Sequence, residues 1–120
     1  MNVLDTYALV EIKQGNPKFQ KFLDLPFVIT DPTIAEFYIV IMKEEGEEEA
    51  RFWYKKLVHY CVAIDRDILI KGWKFRESNK KDNLSIFDAA GYVYALENNH
   101  KFVTGEKAFE HRERVEFIKK

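Results

Sequence analysis

Five short apolar runs punctuate the chain: Asn2 to Leu4, Phe27 to Ile29, Cys61 to Ile64, Lys101 to Val103 and Arg114 to Phe117. Each is apolar, mostly β-branched or aromatic, and bounded by polar or turn residues, which is how buried strands read. Every gap except the last carries helical spacing. Between Thr33 and Lys43, Ile34, Phe37, Tyr38 and Ile41 share one helix face, and Ile86, Ala89, Ala90 and Val93 repeat that spacing from Ser85 to Glu97. From Glu44 to His59 an acidic opening precedes Phe52, Trp53 and Leu57 and the pair Lys55-Lys56, a charge order that suits a helix dipole. A further helix from Asp67 to Glu77 carries Ile68, Trp73 and Phe75 among basic residues and leads into the polar loop Ser78 to Asn83. Short apolar strands alternating with helices predict an α/β fold, a parallel sheet of about five strands covered on both faces. No linker rich in proline or glycine and no internal repeat divides residues 1–120, so a single domain is expected.

Composition narrows the class. A chain of 120 residues can close one core of its own, and 47% hydrophobic with 32% charged residues is the mix of neither a disordered nor a membrane protein. The longest strongly apolar stretch, Phe37 to Met42, falls far short of the roughly 20 residues a membrane helix needs, and no signal pattern follows Met1. Cys61 is the sole cysteine, so no intramolecular disulfide exists; in its apolar run it reads as a small buried hydrophobe in a reducing compartment, and a cytoplasmic location is expected. With 19 basic against 20 acidic residues, whole-molecule attraction to polyanions is excluded. A nucleic-acid partner would have to be held by a local patch or through metal ions.

The acids fall in telling places. In an open parallel sheet, ligands bind beyond the C-terminal ends of the strands. Asp5 follows the first run directly, Asp31 comes two residues after Ile29, Asp65 follows Ile64, and Glu106 follows Val103 after the turn Thr104-Gly105. Glu36 and Asp88 sit near the starts of the two most apolar helices, within reach of the same edge. Carboxylates gathered there repel one another unless a cation neutralises them, and magnesium or manganese is the hard, oxygen-seeking cation that suits such a set. Each acid also has a purely structural use. Asp5 suits the N-cap of a helix beginning at Thr6, while Thr33-Ile34-Ala35-Glu36 and Ser85-Ile86-Phe87-Asp88 both spell a capping box. An alternative, with Asp31 as the N-cap and Pro32 at the first helical position, would instead leave Glu36 beyond the capping turn. Taken alone, Glu106 reads as an exposed loop acid.

Together the motifs resemble those of the PIN domain family, and within it the small single-domain VapC-type toxin ribonucleases. Val3-Leu4-Asp5-Thr6-Tyr7-Ala8-Leu9 is similar to the family's first strand and the helix start after it. Thr33 to Phe37, Leu84 to Ala90 and the stretch ending Phe102-Val103-Thr104-Gly105-Glu106 resemble its three later motifs, in order, over nearly the whole chain. The resemblance implies a three-layer α/β/α sandwich and a metal-dependent endoribonuclease that leaves 5'-phosphate and 3'-hydroxyl ends. It further implies that Asp5, Glu36, Asp88 and Glu106 hold magnesium or manganese, with Thr6 and Thr104 orienting neighbouring groups. The family usually presents aspartate where Glu106 stands; the extra methylene moves the carboxylate outward and puts a second metal position in question.

A partner surface is also implied. Lys71, Lys74, Arg76, Lys80 and Lys81 are the candidate RNA-binding cations, against the plainer expectation of a solvated helix face. By resemblance, a cognate antitoxin would cover the acidic pocket. Phe52, Trp53 and Tyr54 cannot all point into one core, so at least one is expected at the surface, for a partner or a homodimer. His59, His100 and His111 show no spacing for a zinc cage or a triad and are expected in solvent. Two rival readings stand beside the nuclease: a PIN-like scaffold without efficient metal chemistry, and a phosphoacceptor receiver domain. The second needs adjacent acids after the first strand, where Asp5 stands between Leu4 and Thr6.

Overall fold

In the computed structural model, which describes residues 1–120, five strands build one sheet: β1 (Asn2–Leu4), β2 (Phe27–Thr30), β3 (Cys61–Val62), β4 (Lys101–Thr104) and β5 (Val115–Phe117). All neighbours pair in parallel in the order β3-β2-β1-β4-β5, with Val3 opposite both Val28 and Phe102. Six helices connect them: α1 (Thr6–Lys13), α2 (Pro17–Gln20), α3 (Asp31–Glu45), α4 (Glu47–Leu57), α5 (Arg66–Ser78) and α6 (Ile86–Glu97). The expected α/β architecture with a central parallel sheet is therefore present.

Period-two alternation along the strands divides the core in two. Leu4, Phe27, Ile29 and Val103 face one side, where α1, α3 and α4 contribute Leu9, Phe37, Ile41 and Leu57. Val3, Val28 and Phe102 point the other way, against Tyr92 and Ala95 of α6 and Phe75 of α5. Between α5 and α6 the approach is close: a Cβ at Gly72 would lie 2.9 Å from the Ala90 Cα, so a larger residue there would force the helices apart.

Element boundaries depart from the expected ones for physical reasons. Pro32 lies in the first turn of α3, which begins at Asp31 rather than Thr33, because a residue lacking an N–H costs nothing where no carbonyl precedes it. Gly46, at φ +98°, ends α3 and allows α4 to set off in a new direction. Strand β3 stops at Val62, short of Ile64, and Arg114, at φ +57°, stands outside β5. Cys61 is half-buried rather than enclosed, and burial pushes its thiol up to about 11, which favours the protonated form. His59 and His111 are exposed as expected, whereas His100 is half-buried, and that burial lowers its pKa. No helix is long and apolar enough to cross a membrane.

Candidate active site

Strand order reverses on either side of β1: the chain steps to β2 and β3 on one side and to β4 and β5 on the other. Ligands in open parallel sheets bind at such a switch point, beyond the C-terminal strand ends. There the molecule has a cleft of about 440 Å³ whose lining includes Thr6, Tyr7, Glu11, Glu36, Ser85, Asp88, Glu106 and Lys120.

Asp5 lies at the end of central β1, 1% exposed. Its Oδ1 accepts from the Ala8 N–H at 2.8 Å, so the acid does cap α1. That accounts for only one oxygen, because Oδ2 is buried with no hydrogen-bond partner. Burial, then the Asp88 charge, hold the carboxyl well above the usual range; the Thr104 hydroxyl and the Ala8 N–H oppose them, and Glu106 adds to the rise. An orphaned carboxylate oxygen in a core is costly unless something positive meets it.

Glu36 sits beyond the first turn of α3, where capping cannot use it, and its carboxylate accepts a hydrogen bond from the Thr6 hydroxyl on α1. Asp88 occupies the first turn of α6, where its N–H donates to the Ser85 hydroxyl at 3.0 Å and its side chain faces the cleft. Burial first, then the charges of Glu36 and Glu106, push Asp88 up to about 7, with the Ser85 hydroxyl opposing. Glu106 stands exposed on the rim, its N–H donating at 2.9 Å to the hydroxyl of fully buried Thr104. The four predicted acids are thus brought together by the ends of β1 and β4 and the starts of α3 and α6. As they stand, no three His, Cys, Asp or Glu side chains form an arrangement that could hold a metal ion. The all-oxygen donor set and the unpartnered Asp5 Oδ2 nonetheless fit a hard divalent cation.

Asp31 and Asp65 do not join this cleft. The first begins α3 and faces a separate hollow beside Tyr38 and Tyr54; the second caps α5, its Oδ1 accepting from the Ile68 N–H at 2.9 Å. The predicted cations also disperse. Lys71 pairs with Glu97 at 2.6 Å, at the end of α6 remote from Asp88, and Lys80 pairs with Glu77 at 3.6 Å. Arg76 donates to the Leu84 carbonyl at 2.7 Å, while Lys74 lines an apolar hollow with Leu69, Ile70 and Trp73, and Lys81 is exposed. Sequence reasoning missed Glu11, a buried acid in the cleft wall whose Oε1 accepts from Asn16 at 2.9 Å and whose Oε2 lies 3.4 Å from Lys120. Its signal was present: Tyr7 and Glu11 are four residues apart on α1, hence on one face.

Comparison with known proteins agrees with this geometry. The family model described as the PIN domain matches residues 3–115. No curated protein matches the chain. Among solved structures, a toxin-antitoxin complex from Klebsiella pneumoniae superposes with a TM-score of 0.75 at 20% identity, covering 97% of this chain and 96% of that one. VapBC2 from Rickettsia felis, bound to a DNA fragment from its promoter, gives 0.74 at 16% identity and 98% coverage of both chains. VapC20 from Mycobacterium tuberculosis, a toxin that cleaves the sarcin-ricin loop, gives 0.72 at 11% identity with 88% of each chain covered. At these identities the likeness is one of fold.

Proposed function

The chain belongs to the PIN domain family, and from that premise we propose that it is a magnesium- or manganese-dependent endoribonuclease, the toxin of a type II toxin-antitoxin pair acting in the cytoplasm. The observation that carries the proposal is the buried, unpartnered Asp5 Oδ2, within reach of the charges of Asp88 and Glu106, which line the cleft together with Glu36. A divalent ion there would supply the positive charge that activates water for attack on an RNA phosphate and stabilises the charge developing on the phosphate and leaving oxygen.

The protein's own groups do the rest. Asp5 and Asp88 would hold the ion from the end of β1 and from the start of α6, and its charge would let both stay ionised despite their burial. Glu36 is held by Thr6 in an orientation facing the same space. Glu106 reaches in from the rim on a loop whose N–H is tied to Thr104. The products are 5'-phosphate and 3'-hydroxyl ends. An antitoxin segment covering the cleft would meet net negative charge and so needs a basic side chain there. Self-association has apolar surface available: Trp53 turns toward the core and bonds to Glu49, whereas Phe52 at 57% and Tyr54 at 42% exposure point outward.

The deciding experiment is gel-resolved cleavage of a mixed RNA pool with magnesium, manganese or chelator, comparing the wild type with folded Asp5→Asn and Asp88→Asn. Metal-dependent cutting lost in both variants is expected. Equal cutting by the variants would place the activity elsewhere. No cutting by the wild type with either metal would leave the non-catalytic scaffold as the better account.

A further inference from the structure

Beside the acidic cleft runs a second groove of about 430 Å³, lined by Tyr7, Gly105, Lys107, Glu110, Phe117, Lys119 and Lys120. The two hollows share Tyr7 and Lys120, so they adjoin at the Tyr7 ring. Their electrostatics are opposite. The cleft gathers carboxylates, whereas the groove presents Lys107, Lys119 and Lys120 against the single acid Glu110. Lys18 adds a fourth cation, its Nζ donating to the Lys119 carbonyl at 3.1 Å. Neither Lys18, Lys107 nor Lys119 is in an ion pair, and Lys120 reaches only Glu11.

The fold brings these cations close to the acids. In a parallel sheet every strand ends on the same edge, so the residues after β5 emerge beside Asp5 and Glu106. The Ile118 N–H donates to the Thr104 carbonyl at 3.0 Å, which ties the segment carrying Lys119 and Lys120 to the strand that leads to Glu106. Gly105 lets the Tyr7 ring pack against this loop at the boundary of the two hollows, because a Cβ there would lie 2.1 Å from the ring. By contrast, Lys71 and Lys80 are ion-paired, Arg76 is bonded to a backbone carbonyl and Lys74 is set beside an apolar hollow.

We propose that the RNA substrate enters the cleft over Tyr7 along this groove, with Lys107, Lys119 and Lys120 binding the phosphates that flank the scissile bond, and not along α5. The proposal rests on the nuclease reading and names the path by which the substrate reaches that site. Cations placed in this way position the strand without reading its sequence, so they set affinity and salt dependence rather than base preference.

The test measures binding apart from cleavage. A fluorescein-labelled single-stranded RNA of mixed sequence is titrated in magnesium with the Asp88→Asn protein, its intactness checked on a gel. The Lys107→Glu/Lys119→Glu pair is added to that background, and Lys74→Glu/Lys81→Glu, on α5 and the turn after it, serves as the comparison. The groove pair is expected to weaken binding about tenfold or more. It should also flatten the slope of log K against log salt by about 1.4, because two lysines no longer neutralise phosphates of the single strand. The α5 pair should stay within about twofold, since its lysines neutralise no phosphate on this path. Lys107→Gln/Lys119→Gln, with an unchanged melting temperature, should show a smaller loss of the same kind. Unchanged binding by the groove pair, a larger loss from the α5 pair, or no RNA binding by the parent protein would each overturn the proposal. Wild-type cutting together with unmoved binding would sink the path alone and leave the nuclease standing.

Discussion

The starts of α3 and α6 carry the same spelling, a hydroxyl residue followed three positions later by an acid, yet they are built differently. At α6, Ser85 is the N-cap and its hydroxyl accepts from the Asp88 N–H. At α3, Pro32 lets the helix begin two residues before Thr33, so Thr33 lies inside the helix, buried, with its hydroxyl accepting from that of Thr30 at 3.0 Å. Glu36 is thereby moved into the second turn, where it can meet Thr6 across the α1–α3 interface. Both acids reach one cleft from different helical phases. A capping motif therefore specifies what a terminus could use; the position of the first turn decides whether it does.

Mutation of the two acids gives the largest expected effect. Asp88→Asn and Glu36→Gln should each lower metal-dependent RNA cleavage at least about a hundredfold, since each removes part of the charge that holds the ion. Loss with Asp88→Asn alone would break the equivalence and leave Glu36 structural. Thr6→Val, which frees Glu36 without removing it, should cost about tenfold, as for other outer partners of metal ligands.

The two acids should next differ in how stability follows pH. Asp88 is raised from 3.8 to about 7, so the native, metal-free protein keeps a proton that the unfolded chain has released. That contribution is fully present below about 4 and is lost as pH rises through about 7, and the melting temperature should fall across this window. Asp88→Asn should flatten the fall, Glu36→Gln should reduce it by removing one of its causes, and added magnesium should reverse it above pH 7. A melting temperature that rises over the same range in chelator would contradict the burial and repulsion described.

The smallest effects test the caps themselves. Ser85→Ala should cost about 1 kcal/mol in urea unfolding through loss of the α6 cap. Pro32→Ala should cost only about 0.5 kcal/mol, chiefly by loosening the unfolded chain. Equal costs would mean that α3 depends on its proline as α6 depends on its serine.

Much of this molecule is legible along the chain because the signals are local. Unbroken apolar runs at Val3-Leu4 and Phe102-Val103 report strands buried on both faces, and the acids after them lie where a parallel sheet places ligands. Asp5 shows how far such reasoning reaches, since the cap it suggests is present but uses one oxygen and leaves the other buried without a partner. Glu11 and Lys120 are not legible as partners, being separated by most of the chain and joined only when β5 returns to the sheet edge. The ion pair of Lys71 is illegible for the same reason, since Glu97 lies on another helix.

Hydrophobic period and turn chemistry, which act between near neighbours, determined the strands, the helices and the acid after each motif. Only the tertiary structure decided which acids meet, which cations remain unpaired and which groove leads to the cleft. Those outcomes depend on strand order and on charges brought together from distant parts of the chain, and electrostatic partnership at a few ångströms leaves no period in the sequence.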